Sequence, residues 1–130
     1  MPERSLLLDT CALIWLSSDA AELSQQARKA IDAADTVWVS AISAWEISLK
    51  VARQTLTLPM APEQWFGRAL EHHHLSLAAL SVEVLVAANT LPWHHRDPAD
   101  RFIIATALAL GAAVVTADRK FQQYEVGVLG

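Results

Sequence analysis

Short apolar runs alternate with longer segments of helical periodicity along the whole chain. The runs suit strands of a buried parallel sheet, because consecutive apolar side chains can then face both layers of helices. They cover residues 5–9, 36–41, 75–80 and 112–118, with a weaker edge strand at 124–129. Helical spacing of apolar residues is found at 10–16, 24–34, 43–53, 62–70, 81–89 and 99–110. This alternation predicts an α/β fold, a three-layer α/β/α sandwich with a mostly parallel central sheet, formed by residues 1–130 as one domain.

The composition supports a globular protein of the reducing cytoplasm. Hydrophobic residues make up 53% of the chain and charged residues 18%, a balance that excludes an intrinsically disordered protein. Cys11 is the one cysteine, so no internal disulfide can form. The first residues carry no signal-peptide cleavage pattern, and Asp9 interrupts their apolar run. We therefore expect a soluble, cytoplasmic protein with no membrane segment.

Acidic residues stand at several ends of the predicted elements. Asp9 ends the first strand, Glu46 lies near the start of the helix after the second strand, and Asp118 follows the fourth strand. In a parallel sheet these positions share one edge. Asp100 opens a helix that precedes a strand, so its place at that edge follows less directly. Carboxylates without organised His or Cys ligands favour Mg²⁺ or Mn²⁺ over zinc, and such sites hydrolyse phosphodiesters.

Each acidic residue also has an explanation that needs no chemistry. Ser43 and Glu46 have the spacing of a capping box. Asp100 is favoured at a helix start by the macrodipole, Asp97 before Pro98 suits a turn, and Asp118 can begin one. The functional interpretation depends on the four carboxylates occurring together.

Four segments of the chain together resemble the motifs of the PIN-domain ribonucleases, and in particular the VapC-type toxins of toxin–antitoxin pairs. The segments are "LLLDTCALIWL", "VSAISAWEISLK", "LPWHHRDPADRFIIATA" and "VVTADRKFQQY", in the family's order. The resemblance implies a Mg²⁺-dependent endoribonuclease, with Mn²⁺ as the alternative ion, and a PIN-like fold. It assigns the catalytic and metal-binding roles to Asp9, Glu46, Asp100 and Asp118. It assigns supporting roles around them to Asp97, Thr10, Thr116 and Ser43. It also implies a cognate antitoxin protein as a partner and a homodimer.

The net charge of −4 does not exclude an RNA substrate. Without Asp97 and the four catalytic candidates, nine acidic residues remain against ten basic ones, so the rest of the surface is close to neutral. Basic residues near the motifs are candidates for contacts with an RNA backbone: Lys50, Arg53, Arg96, Arg101, Arg119 and Lys120. The alternative is a solvated rim in which Lys50 pairs with Glu46 along the helix. The weak basicity favours a folded or looped RNA.

Other residues are expected to contribute less. The five tryptophans are assigned mainly to the core, with Trp15 and Trp65 as candidates for a partner groove. His94 and His95 lie beside the third motif and are candidates for contact with substrate. The main alternative function is a non-catalytic PIN-fold module that binds RNA or a protein. The complete acidic set argues against it, since such a module has no use for mutually repelling carboxylates.

Overall fold

Five strands and six α-helices follow one another along the described part of the chain. The computed structural model describes residues 4–124 and 126–130. The strands are β1 (Ser5–Leu8), β2 (Thr36–Ser40), β3 (Ser76–Ala78), β4 (Ala113–Val115) and β5 (Val128–Leu129). The helices are α1 (Thr10–Ser18), α2 (Gln25–Ala33), α3 (Ala41–Ala52), α4 (Pro62–His72), α5 (Val82–Thr90) and α6 (Pro98–Leu110), and a 3₁₀ helix spans Arg119–Gln123. The predicted edge strand is shortened to β5, and Glu125 within that prediction lies outside the described residues.

The strands form one sheet in the order β3-β2-β1-β4-β5, and every pairing between them is parallel. The chain moves outward from β1 through β2 to β3 and then returns to place β4 on the other side of β1. The strand order therefore reverses between β1 and β4. Crevices at the carboxyl ends of strands beside such a reversal are the usual ligand sites of open α/β sheets.

The central strand is buried on both faces, which makes the fold a three-layer sandwich. Leu6 and Leu8 contribute to one hydrophobic cluster with residues of α1, α2 and α4, whereas Leu7 packs in a second cluster with residues of α6. All three leucines are completely inaccessible to solvent. Alternation of side chains along a strand explains this division. The predicted α/β/α sandwich with a mostly parallel sheet is confirmed.

Helix starts follow the expected chemistry with one exception. The hydroxyls of Ser24 and Ser81 accept hydrogen bonds from the amides of Ala27 and Val84, capping α2 and α5 at 3.0 and 3.2 Å. Helix α3, however, begins at Ala41 and is capped by Ser40. The capping-box interpretation of Ser43 with Glu46 is therefore wrong, because both residues lie inside the helix.

The end of α6 matches its sequence signal. Gly111 has φ = 65°, a left-handed conformation that glycine adopts without steric cost, and its amide bonds back to the last turn. Within residues 4–124 and 126–130, none of the helices combines the length and the apolar character needed to cross a bilayer.

Candidate active site

A cleft opens where the strand order reverses, and its floor is formed by residues that follow β1 and β4. The amide of Asp9 donates to the carbonyl of Val115 at 3.1 Å, which holds the two strand ends together. The cleft has a volume of about 210 Å³. Its lining comprises Asp9, Thr10, Cys11, Trp15, Glu46, Lys50, Asp97, Asp100, Ala117 and Asp118. The structure thus brings the four predicted catalytic carboxylates to one cleft, together with Asp97.

Helix α6 carries Asp97 and Asp100 to this edge of the sheet. It precedes β4 and runs against the strand direction, so its amino end lies where the strands end. Asp97 caps the helix, and its Oδ1 accepts a hydrogen bond from the Ala99 amide at 3.0 Å. Asp100 lies in the first turn. The start of α6 therefore explains both the position of Asp100 at this edge and the turn that was predicted at Asp97.

Hydrogen bonds between α1 and α3 orient Glu46. The Thr10 hydroxyl donates to Glu46 Oε1, and it also lies 2.9 Å from the buried Ser43 hydroxyl. Ser43 and Glu46 are three residues apart, so they share a face of α3 that looks toward α1. The structure therefore gives Thr10 and Ser43 contacts that fix the Glu46 carboxylate at the cleft.

Asp9 and Asp118 are held by backbone amides at the starts of the elements that follow them. Asp9 caps α1 by accepting from the Ala12 amide at 2.8 Å. Asp118 Oδ1 accepts from the Lys120 amide at 2.9 Å, while the Asp118 amide donates to the Thr116 hydroxyl at 3.0 Å. These bonds leave the second carboxylate oxygen of each residue free of the backbone.

Crowding of the carboxylates perturbs their protonation. Burial raises the pKa of Asp100 to about 8, with further contributions from Asp97, Glu46, Asp9 and Asp118. Burial also raises the pKa of Asp9 and of Glu46. For Asp118, burial acts in the same direction, but the Lys120 amide and His95 outweigh it and lower the pKa. One of these carboxyl groups retains its proton near neutral pH because it is buried and its neighbours are also negative. A bound cation would offset that charge and stabilise the site with all of the carboxylates ionised.

His95 bridges two of the carboxylates. Its ring is buried, and Nε2 lies 2.9 Å from Asp118 Oδ2 and 3.0 Å from Asp100 Oδ2. Nδ1 accepts a hydrogen bond from the Asp97 amide at 3.2 Å, so the ring proton lies on Nε2 and points at both carboxylates. Sequence reasoning proposed only substrate contact for this residue. The signal that was available was a histidine two residues before Asp97, but its link to Asp118 depends on the tertiary fold.

Comparison with known proteins decides the family. A profile of the PIN domain matches residues 6–127, which is nearly the whole chain. The chain belongs to the PIN-domain family. This confirms the resemblance drawn from the four motifs.

Relatives of this PIN domain agree with that placement. Ribonuclease VapC22 of Mycobacterium tuberculosis is 32% identical over 121 residues, which cover 92% of each chain. Among solved structures, a chain of the DNA-bound VapBC2 complex from Rickettsia felis has a TM-score of 0.70 at 15% identity, covering 96% of this chain and 97% of that one. A chain of a Klebsiella pneumoniae toxin–antitoxin complex has a TM-score of 0.67 at 22% identity, with 96% of each chain covered. At these identities the solved structures show the fold.

Arg101 does not line the cleft of this PIN domain, and the prediction that it binds substrate is wrong. The residue is 2% exposed, and its guanidinium donates to the carbonyls of four residues at 2.6–3.0 Å: Ala88, Leu91, Pro92 and His95. The Trp93 ring covers the guanidinium carbon at 3.5 Å. Arg101 thus holds the segment between α5 and α6, which carries His95, and the Tyr124 hydroxyl assists by accepting from the His95 amide at 2.9 Å.

The other predicted substrate-binding residues are accessible. Lys50 lines the cleft, and no ion pair joins it to Glu46 among the described residues, so the simple helical pair is not formed. Arg96, Arg119 and Lys120 are exposed. They flank Asp97 and Asp118 in the chain.

The tryptophans are divided between the core and the surface. Trp15 borders the cleft, and Trp65 packs against the main core cluster. Trp45 and Trp93 are exposed, which contradicts their assignment to the core. The apolar spacing within 43–53 did not distinguish the exposed Trp45 from the buried Ile47 of the same helix.

The donor set of this PIN domain fits a hard divalent cation. The carboxylates of Asp9, Glu46, Asp100 and Asp118 offer oxygen atoms of the kind that Mg²⁺ and Mn²⁺ prefer as ligands. His95 is close enough to Asp100 and Asp118 to complete a three-residue metal site. Its Nδ1 is engaged by the Asp97 amide, however, and Nε2 therefore carries the proton rather than a lone pair. The geometry makes His95 a hydrogen-bond donor to the carboxylates of Asp100 and Asp118.

Proposed function

We propose that this PIN-domain protein is a metal-dependent endoribonuclease that acts as the toxin of a toxin–antitoxin pair. The observation that carries the proposal is the meeting of four carboxylates from distant parts of the chain in one cleft. The raised pKa of Asp100 supports it, because a buried group of like charges needs a cation to be ionised at neutral pH. The similarity to Ribonuclease VapC22 supports RNA as the substrate.

Asp9, Glu46, Asp100 and Asp118 would hold one or two Mg²⁺ ions, or Mn²⁺ in their place. When bound, the metal supplies a Lewis acid that activates water and offsets the negative charge of the phosphodiester under attack. The chain's own residues fix the positions of the carboxylates. Thr10 holds Glu46, the amino ends of α1 and α6 hold Asp9 and Asp100, and His95 joins Asp100 to Asp118.

Basic residues around the acidic cleft would hold the RNA backbone. Lys50 is part of the lining, and Arg96, Arg119 and Lys120 are exposed beside the carboxylates in sequence. Lysine and arginine contacts to phosphate position a nucleic acid without reading its sequence. We assign these four residues to substrate binding and Arg101 to the support of His95.

The proposal includes two protein partners and a cellular location. The toxin–antitoxin complexes among the structures of the same fold support a cognate antitoxin that would bind over the cleft. The exposed apolar side chains of α5, Val82, Leu85 and Val86, support a homodimer in which a second copy covers this helix. The cytoplasm is the compartment where the RNA substrate would be met.

Cleavage of cellular RNA with and without Mg²⁺ tests the enzymatic proposal, with Asp9→Asn as the variant. Asparagine caps helices as well as aspartate does, so α1 keeps its start while the site loses a charged oxygen ligand. We expect Mg²⁺-dependent cleavage by the wild type. In the variant the cleavage rate should fall by more than roughly 100-fold, because the loss of a residue that only supports a metal ligand costs at most about that much. Metal-independent cleavage, or full activity of Asp9→Asn, would contradict the proposed mechanism. Absence of any nuclease activity together with unchanged thermal stability on titration with Mg²⁺ would favour the non-catalytic module.

Replacement of His95 should weaken metal binding without unfolding the protein. We expect His95→Ala to lower Mn²⁺ affinity by roughly 10- to 100-fold, because Asp100 and Asp118 lose their common donor. His95→Gln should recover most of the affinity, since its side-chain amide can donate from nearly the same position. Isothermal titration with Mn²⁺ measures both, and His94→Ala is the control because that neighbour is exposed. The electron paramagnetic resonance spectrum of Mn²⁺ bound to the wild type provides a further check. If it shows a nitrogen coupling that His95→Ala abolishes, His95 is itself a metal ligand.

A further inference from the structure

A second, larger groove continues from the acidic cleft along α3. It has a volume of about 640 Å³, within the range of pockets that hold small ligands. Glu46, Lys50 and Asp97 line both the cleft and this groove. The rest of its lining is Trp45, Leu49, Arg53, Thr55, Pro98 and Ala99. We call it the Trp45 groove. Because the two share these residues, a nucleic-acid strand that crosses the cleft would pass beside the groove.

Trp45 is the largest apolar side chain in the Trp45 groove, and 57% of its surface is exposed. It directly precedes Glu46 in α3, so its position is fixed by the same helix that carries a candidate ligand of the metal. A large exposed aromatic ring beside a cleft is a surface on which an unpaired base can stack. Trp45 is not a member of the hydrophobic clusters formed by the described residues.

Two cations line the groove together with this ring, Lys50 in α3 and Arg53 at its carboxyl-terminal cap. Neither of them belongs to an ion pair within the described part of the chain. Arg53 follows Trp45 by eight residues, which places it about 12 Å farther along the axis of α3. An aromatic platform with adjacent unpaired cations matches the base and phosphates of a single-stranded nucleic acid.

Trp45 also borders an apolar depression on its other side, with Pro62 and Phe66. That depression is lined by no cation and does not include any carboxylate of the cleft. The charge and the continuity with the cleft therefore favour the Lys50 side for a polyanion.

We propose that the Trp45 groove binds an unpaired nucleotide of the RNA that flanks the scissile phosphate, with its base stacked on Trp45 and its phosphates beside Lys50 and Arg53. The proposal rests on the proposed nuclease function and adds to it a subsite in which the base of an unpaired nucleotide stacks next to the cut. A duplex would not present a free base face to the indole.

Equilibrium binding tests the groove separately from catalysis. The probe is a short fluorescent single-stranded oligoribonucleotide of mixed sequence, and the comparison is the same strand annealed into a duplex. In an Asp9→Asn background, which prevents cleavage, we expect Trp45→Ala to weaken binding of the single strand about 10-fold, inside the range that alanine substitution of a stacking aromatic gives. Binding of the duplex should not change, and Trp45→Phe should recover part of the loss. Leu108→Ala is the control, since it removes an exposed apolar side chain near the far end of α6.

Cleavage kinetics with abasic substrates complete the test. An abasic site at the nucleotide that occupies the groove should raise KM of the active protein about as much as Trp45→Ala does, and should add nothing in that variant. The groove assignment would be overturned, even if the protein is a nuclease, if Trp45→Ala bound the single strand as well as the wild type does. It would also be overturned if the abasic site raised KM in Trp45→Ala by the same factor as in the protein that retains Trp45. Loss of single-strand binding in Trp45→Ala without any cleavage by the wild type would instead retain the groove and reject the nuclease.

Discussion

Asp100→Asn should abolish RNA cleavage and, in the absence of metal, should make the protein more stable at pH 8 than the wild type. The variant removes a candidate metal ligand, so the loss of activity should exceed the roughly 100-fold associated with a supporting contact. It also removes a buried carboxyl group whose ionisation is opposed by burial and by four neighbouring carboxylates. Activity and metal-free stability therefore change in opposite directions.

The pH dependence follows from the same group. The pKa of Asp100 is raised from its ordinary 3.8 to about 8 in the folded protein, so between these values the folded chain holds a proton that the unfolded chain has released. Unfolding then releases a proton, and the free energy of unfolding decreases as pH rises through this window. Asp9 and Glu46 act in the same direction, because their pKa values are also raised. Asp118 acts in the opposite direction, because its pKa is lowered in the folded protein. Its carboxylate stabilises the fold at pH values above the ordinary pKa of an aspartate, and this stabilisation is lost as the pH falls through the lowered pKa.

Calorimetric melting in a chelator between pH 5 and about 8 measures this effect, and repetition with excess Mg²⁺ supplies the control. The wild-type Tm should fall with pH in chelator and recover with Mg²⁺, most strongly at the alkaline end. Asp100→Asn should show a flatter profile and a smaller gain from Mg²⁺. Equal slopes in the two proteins would mean that Asp100 titrates as an ordinary carboxyl group and is not part of a crowded cation site.

Local patterns were sufficient for most of the fold and for the acidic residues. The run of three leucines before Asp9 predicts a buried parallel strand, because a strand covered on both faces can bury consecutive apolar side chains. Topology then gathers Asp9, Glu46 and Asp118 at one edge, where the structure places them. The start of α3 was misjudged by two residues, since Ser40 and Ser43 are both acceptable caps and only the packing of Ser43 against Thr10 decides between them.

Local sequence patterns could not predict the roles of residues whose contacts join distant parts of the chain. His95 acts on Asp118, which lies 23 residues away and on another element. Arg101 was misassigned because an arginine beside a candidate catalytic aspartate has the same local sequence whether its side chain faces solvent or the interior. What decides its role is four carbonyl groups, one in the last turns of α5 and three in the segment after it, and their positions are set by the tertiary path of the chain.

Arg101→Ala should therefore destabilise the protein by on the order of 3 kcal/mol, since it leaves buried carbonyl groups without donors. For a chain of this length that corresponds to a decrease in Tm of roughly 10 °C. Arg101→Lys should be intermediate, because an ammonium group cannot reproduce the planar fork that reaches Ala88, Leu91, Pro92 and His95. Loss of Trp93 stacking adds to the effect in the alanine variant.

Arg96→Ala is the matched control, because Arg96 is exposed and lies five residues earlier in the same motif. It should leave Tm unchanged, weaken RNA binding and lower the salt dependence of that binding by about one phosphate contact. Arg101→Ala should show the reverse pattern at temperatures where it remains folded, with an unchanged salt slope and a reduced affinity for Mn²⁺ through displacement of His95. If Arg101→Ala instead keeps the wild-type Tm and loses a phosphate contact, the guanidinium faces the substrate, and the segment that carries His95 must be held by other means.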